Sequence, residues 1–291
     1  MTRKKVLTIA GSDSGGGAGI QADIKTISAF GCYAASAITA VTVQNTLGVQ
    51  AVHPVPADIV SGQITAVLDD IGADAIKIGM LFNTDIIHAV AQTLNFQLST
   101  FNSTTPVVLD PVMVSTSGHR LMNEDAIESL TAELIPLATL ITPNLPEAEV
   151  LLGEKITDLS SAAQALAEKY KVSVLLKAGH LVALRANDEL NPLQANDELN
   201  PLQANDELTD ILYDYKEKRT YTYSHSRVDT KNTHGTGCTL SSAIASQLAK
   251  GLPLNDAIGA AIQYLGNALL SAEKDVLGHG FGPVDHFFAQ K

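Results

Sequence analysis

Two glycines and a cysteine at the end of a strand-like run are the residues of this chain best placed to do chemistry. The stretch Thr233-His234-Gly235-Thr236-Gly237-Cys238-Thr239 joins an alternating segment that reads as a strand to a strongly apolar segment that reads as a helix beginning near Cys238. Gly235 and Gly237 carry no Cβ, so consecutive backbone N–H groups can converge, and the helix start adds positive potential. Such an anion hole suits a phosphoryl group, whose negative charge is spread over its equatorial oxygens. Cys238 falls in the first helical turn, where a thiol pKa is expected to drop toward neutrality, and a thiolate there can take a proton from a hydroxyl. An ordinary glycine turn before a buried cysteine has the same look, so the reading depends on companions.

The companions stand in or just after apolar runs. Asn144-Leu145-Pro146-Glu147 follows the run Leu140 to Thr142; a carboxylate beside an amide there can hold a nucleotide-bound Mg²⁺, usually through water. Asp110 ends Val107-Val108-Leu109, and Pro111 stops that strand from continuing. A carboxylate in so apolar a setting needs a cation or donors nearby. Lys77 and Lys177, in or just after strands, are candidates for contacting phosphates, with snorkelling as the plain alternative. The run from Gly11 to Asp23 is glycine-rich like a dinucleotide fingerprint, but its spacing fits poorly and no acidic residue closes a second strand at the expected distance.

Short β-branched runs alternating with helical stretches must position these groups. Strands are predicted at Val6 to Ala10, Ala75 to Ile78, Val107 to Leu109, Leu140 to Thr142 and Val172 to Leu176, with a further apolar run from Ala35 to Val43. Helices are predicted at Ile20 to Phe30, Ile59 to Ile71, Thr84 to Leu94, Glu124 to Leu137, Pro146 to Leu152, Ser160 to Tyr170, Thr239 to Lys250 and Leu254 to Ala272. The alternation implies an α/β fold: a mainly parallel central sheet covered by helices on both faces. Ile211 to Tyr213 and Arg219 to Val228 alternate as antiparallel edge strands would. Ligands in such sheets bind beyond the carboxyl ends of the strands, which is where the companion residues fall.

At 291 residues and 45% hydrophobic content, the chain is expected to form a single α/β domain over residues 1–291. A net charge of −12 argues against nucleic acid or an anionic membrane as the main partner. Cys32 and Cys238 are the only cysteines and give no disulfide or metal spacing. The amino-terminal apolar run is too short for a signal peptide or span, so the expected location is the cytoplasm. ANDELNPLQ at Ala186 to Gln194 recurs unchanged at Ala195 to Gln203 and starts again at Ala204. That segment, about 186–208, reads as a loop lengthened by tandem duplication.

With these pieces in view, the chain resembles the ribokinase-like superfamily and, within it, the bacterial hydroxymethylpyrimidine/phosphomethylpyrimidine kinases. The likeness rests on AGSDSGGGAGIQADIKT (Ala10 to Thr26), AVTVQNT (Ala40 to Thr46), KIGML (Lys77 to Leu81) and VVLDPVMV (Val107 to Val114). It continues with TPNLPEAEVL (Thr142 to Leu151), LLKAGH (Leu175 to His180), NTHGTGCTLSSAIA (Asn232 to Ala245) and GHGFGPVDHF (Gly278 to Phe287). The resemblance implies that Gly11, Asp23, Gln44 and Met80 line a pyrimidine pocket, with Gln44 reading the amino edge of the ring. It implies ATP binding by Asp110, Asn144, Lys177 and Thr233, and Mg²⁺ near Asp110 and Glu147. Gly235, Thr236, Gly237 and Cys238 match the anion hole, with Cys238 at the base position. The implied activity is ATP-dependent phosphorylation of the hydroxymethylpyrimidine and then of its monophosphate, by a homodimer. Pyridoxal kinase, and a non-catalytic sensor with the same fold, are the alternatives. The repeat departs from the family pattern and carries no implied role.

Overall fold

A computed structural model describes residues 3–100, 104–113, 122, 124–177 and 207–290. The nonapeptide repeat before residue 207 lies outside the described residues.

A nine-stranded sheet in the order β3-β2-β1-β4-β5-β6-β7-β8-β9 forms the frame. The strands are β1 (Lys5–Ser12), β2 (Tyr33–Asn45), β3 (Gly48–Pro54), β4 (Ala75–Ile78), β5 (Val107–Leu109), β6 (Leu140–Ile141), β7 (Ser173–Leu176), β8 (Glu207–Asp214) and β9 (Arg219–Ser226). The six strands from β2 to β7 pair in parallel, whereas β3, β8 and β9 pair antiparallel. The central strands are apolar on both faces because helices cover both. Helices α2 (Ala57–Asp70), α3 (Thr84–Thr100), α4 (Glu124–Ser129), α5 (Leu145–Leu152) and α6 (Leu159–Tyr170) bury one face, with Ile64, Ile87, Leu94, Leu166 and Leu176 in one cluster. Helices α1 (Gly19–Ala29), α7 (Thr236–Ala249) and α8 (Leu254–Ala272) bury the other, with Ile27, Val108, Leu175, Ile244 and Ile258 in a second. Alanines 243, 245, 249 and 261 let α7 and α8 lie close on that face.

Chain order reverses at β1, which has β2 on one side and β4 on the other. Open α/β sheets have their crevice at such a point, outside the carboxyl ends of the strands.

Two local departures from the sequence reading have plain causes. The expected helix from Glu124 to Leu137 is α only to Ser129; a π-helical segment, Leu130–Leu134, and a 3₁₀ turn, Ile135–Leu137, follow. Pro136 has no N–H to continue the ladder and forces the tighter ending. Strand β3 was not expected, because GVQAVHP is half-exposed edge sequence lacking a clean alternation. Among the described residues, no helix is long and apolar enough to cross a membrane.

Candidate active site

The carboxyl ends of β1, β4, β5, β6 and β7 open toward the amino terminus of α7. That helix starts at Thr236, two residues earlier than the sequence suggested. Gly235 caps it at φ +80°, a left-handed conformation, and a Cβ there would overlap the Gly17 carbonyl. The Thr239 N–H donates to the Gly235 carbonyl at 2.8 Å, and the Thr236 N–H to the Thr233 carbonyl at 3.4 Å. Thr233 therefore enters through its main chain. Helix geometry leaves the first-turn N–H groups without intrahelical acceptors, and they point out of the α7 end.

What they face is set by Gly237. A Cβ there would lie 3.3 Å from Asp110 Oδ2 and 3.6 Å from Lys177 Nζ, so the turn abuts an ion pair. Lys177 Nζ donates to Asp110 Oδ1 at 2.9 Å, and the Thr142 hydroxyl donates to the same oxygen at 2.9 Å. Lys177 is placed by its main chain, which bridges to Asn144 and donates to the Pro143 carbonyl. Asn144 caps α5 in a capping box: its Oδ1 accepts from the Glu147 N–H and Glu147 Oε2 from the Asn144 N–H, both at 2.9 Å. Glu147 Oε1 accepts from the Met113 N–H at 3.3 Å.

Two buried carboxylates thus share one nearby lysine. Burial drives the Glu147 carboxyl up to about 7, Lys177 opposing and Asp110 adding to the rise. Asp110 stays below the ordinary carboxylate range despite its burial, because Lys177 and Lys77 hold it there. Among the described residues no cluster of three or more metal-ligating side chains occurs, and Glu147 already accepts from two backbone N–H groups. The donor set fits a hard cation held mainly by water and nucleotide oxygens, with the carboxylates as outer partners.

The second half of the cleft lies past β1 and β4. Gly11 and Met80 meet there: a Cβ on Gly11 would fall 2.6 Å from Met80 Cε. Gln44 stands opposite on β2, its main chain latched to Ser14 at 2.9 Å and 2.7 Å. Its side chain reaches Thr42 Oγ1 and the ring of His234. The structure therefore brings Gly11 against Met80 and Gln44 against His234 just ahead of the α7 turn, while Gly237 of that turn lies against the Asp110–Lys177 pair.

Asp23 does not line this cleft. It is fully buried under α7, accepting from Thr8 Oγ1 at 2.6 Å, Ser242 Oγ at 2.7 Å and Lys77 Nζ at 2.9 Å on each oxygen. Lys77 does not snorkel; it is the fully buried counter-ion of Asp23. Between them they form a saturated ionic floor beneath Cys238, and Asp23 is a positioning residue.

The Cys238 thiol also departs from expectation. It keeps partial exposure, but burial pushes it up to about 11; Lys77 pulls down, while Asp23 and Asp110 push further up. Desolvation and two carboxylates outweigh the helix dipole, whose effect is at most about 2 kcal/mol.

The glycine-rich loop after β1 has its own occupant. Asp13 accepts from the N–H groups of Gly15 at 2.7 Å, Gly17 at 2.9 Å and Ala18 at 2.8 Å. A carboxylate of the chain fills the nest that a cofactor phosphate would need, so the loop is no dinucleotide cradle. Asp13 and His234, joined at 2.9 Å, are functional candidates the sequence reading left without roles. So are residues 280 to 283, where the Phe281 N–H donates to the Thr46 carbonyl and the Gly282 carbonyl accepts from the His234 N–H, both at 3.0 Å. The alternation of Gly278, Gly280 and Gly282 was the available signal; each carries no side chain where one would strike Thr46 or Asn232.

A glycine-flanked helix amino terminus against a buried acid pair with a lysine, at the carboxyl ends of a mainly parallel sheet, is the arrangement of a small-molecule kinase of the ribokinase-like class. The family model described as phosphomethylpyrimidine kinase matches residues 13–285, and the chain belongs to that family. The hydroxymethylpyrimidine/phosphomethylpyrimidine kinase of Rhizobium meliloti is 44% identical over 285 residues, covering 97% of this chain and 96% of that one. A phosphomethylpyrimidine kinase crystal structure from Clostridium difficile superposes with a TM-score of 0.71 at 37% identity, over 92% of this chain and 100% of that one. Pyridoxal kinase from Staphylococcus aureus, solved with AMP-PCP and pyridoxal, superposes with a TM-score of 0.79 at 31% identity, over 100% and 96%.

Proposed function

We propose that this chain moves the γ-phosphoryl group of ATP onto the hydroxymethyl oxygen of 4-amino-5-hydroxymethyl-2-methylpyrimidine, and then phosphorylates the monophosphate, for thiamine biosynthesis. The observation that carries the reading is the α7 amino terminus abutting the Asp110–Lys177 pair, with Gln44 against His234 just ahead of the same turn. The anion hole gathers the transferred group, Lys177 meets its charge, and Asp110 and Glu147 hold Mg²⁺, which neutralises the nucleotide phosphates when bound. Asn144 orients Glu147 through the capping box. The nucleoside end fits a groove of about 560 Å³ between β9 and α8, lined by Ser226, Val228, Ile262, Gly266 and Leu270. Residue 228 runs straight into the turn at 232–238, which connects that groove to the phosphate site.

Cys238 is the group nearest the transferred proton in this reading. Burial pushes its thiol up to about 11, so the substrate-free site favours the protonated sulfur at neutral pH. The working unit of the reading is a cytoplasmic homodimer, and the exposed Val41 and Val43 of β2 offer an apolar face for it; light scattering tests the assembly.

The test is ADP release with the pyrimidine as acceptor, with and without Mg²⁺. Mg²⁺-dependent turnover supports the kinase, and none under any condition leaves a ligand sensor. Pyridoxal kinase is the second reading, favoured by the Staphylococcus aureus likeness.

A further inference from the structure

Lys177, paired with Asp110 on one side, faces a second carboxylate on the neighbouring strand. β7 pairs antiparallel with β8, Leu176 opposite Ile211, so one step further along both strands sets Lys177 beside Asp210. Leu175 and Leu212 belong to the cluster under α7 and α8, and alternation turns Lys177 and Asp210 to that same face. The charges interact: burial works against a charged Lys177, but Asp110, Glu147 and Asp210 hold its proton above the ordinary lysine range. Beyond Asp210, His225 Nε2 stands 3.3 Å from Asp210 Oδ2. β9 sets Tyr223 opposite Asp210, and Tyr223 packs against the same cluster, so His225 two residues on shares its face. The Asp210 side chain is 8% exposed and that of His225 31%, and His225 borders the groove between β9 and α8.

We propose that His225 and Asp210 are positioning residues for the nucleotide phosphates, acting through Lys177. With His225 protonated, the ring engages the Asp210 carboxylate, and the Lys177 charge is left to the phosphates at the α7 turn. With His225 neutral, Asp210 competes with the phosphates for Lys177. The hydrogen bond to Asp210 raises the His225 pKa above 6.5 against the effect of burial, and a bond to the Ser226 main chain adds to the rise. The charged ring is therefore kept at low pH and lost as pH rises through the folded value, and nucleotide binding weakens over that window. Among the described residues, Asp210 is the charged group that faces His225 from β8. Across the groove, Ile262, Gln263, Gly266, Asn267 and Leu270 of α8 carry no charge. On β9 and just past it, Arg227 also lines the groove, and the Tyr223 phenol, pushed up by burial, donates to the Asn255 carbonyl. The role assigned to this pair rests on the kinase reading above.

Calorimetric titration with Mg²⁺–ADP at pH 6 and pH 9 tests this on the wild type, His225→Gln and Asp210→Asn. The nucleotide's own ionisation is common to all three and cancels in their ratios. At pH 6, His225→Gln should bind about threefold to tenfold more weakly than wild type, the range for one charge acting through a partly screened interior. At pH 9 the two dissociation constants should coincide, whereas a merely structural loss would weaken binding at both pH values. Asp210→Asn should bind more tightly than wild type at pH 9, a gain that damage to the fold would not give. A wild-type to His225→Gln ratio that is constant with pH, or unchanged or weaker binding by Asp210→Asn at pH 9, overturns the inference and leaves the kinase reading standing. No binding of Mg²⁺–ADP by the wild type at either pH overturns both.

Discussion

Replacing Gly235 by alanine isolates the geometry on which the anion hole depends. Gly235 sits at φ +80°, and an added Cβ would overlap the Gly17 carbonyl oxygen, with Ala18 Cα only 3.2 Å away. The backbone conformation alone costs a non-glycine residue about 1 kcal/mol or more. Forcing the Gly17 strand of the loop aside adds about 1–3 kcal/mol, as for other overpacked sites. The neighbours are backbone atoms tied to Asp13, so they yield poorly, and the total should be about 2–4 kcal/mol. The displacement also moves the α7 amino terminus against Asp110 and Lys177, and a shift of about 1 Å there can cost about 10² in rate. Urea unfolding at 25 °C reads the first effect and single-turnover ADP formation the second. Gly62→Ala in α2, where a Cβ meets nothing within 4 Å, is the control and should be neutral or stabilising by up to about 1 kcal/mol. A Gly235→Ala protein within about 0.5 kcal/mol of wild type and with normal turnover would refute the argument.

Further outcomes follow from the same geometry. Cys238→Ala should lower kcat by about 10²- to 10⁴-fold, the range for a positioned base, with a smaller effect on KM for ATP; near-normal turnover would leave Cys238 only framing the hole. Alkylation of Cys238 by iodoacetamide in substrate-free enzyme should keep accelerating past pH 9, because its thiol is pushed up to about 11, and a plateau near pH 8 would contradict that. Glu147, raised from 4.5 to about 7 on folding, contributes stability that is whole below pH 4.5 and lost as pH rises through 7. In Mg²⁺-free buffer, stability relative to Glu147→Gln should therefore shift toward the variant between pH 5 and pH 8, by on the order of 2–3 kcal/mol, and a flat difference would count against it. At Gly266 of α8 a Cβ meets nothing within 4 Å, and the residue lines the β9–α8 groove. Gly266→Leu should leave folding intact or improve it while raising KM for ATP about tenfold; an unchanged KM would place the base elsewhere.

The parts of this protein legible in its sequence are those fixed by local chemistry. Runs such as Val107-Val108-Leu109 are apolar on both faces and can only be central strands, and Asn144 with Glu147 spells its own capping box. The half-exposed β3 and the ending at Pro136 were weaker signals, the first blurred by edge exposure and the second decided by one missing N–H. The chemistry of Cys238 was not legible, since a helix start is a local feature whereas Asp23, Lys77 and Asp110 come from three other elements. Asp23 looked like a pocket residue within its motif, yet its partners Lys77 and Ser242 lie 54 and 219 residues away. For the same reason the pairing of Asp13 with His234, 221 residues apart, could not be read from either motif alone.

The central claim is that this site phosphorylates the hydroxymethyl group of an aminopyrimidine, and its most direct test is a head-to-head measurement of kcat/KM for hydroxymethylpyrimidine and pyridoxal with saturating Mg²⁺–ATP. The account predicts a preference for the pyrimidine of at least tenfold, from the hydrogen bonds Gln44 can make only to its amino edge. A kcat/KM for pyridoxal equal to or above that for the pyrimidine would contradict it.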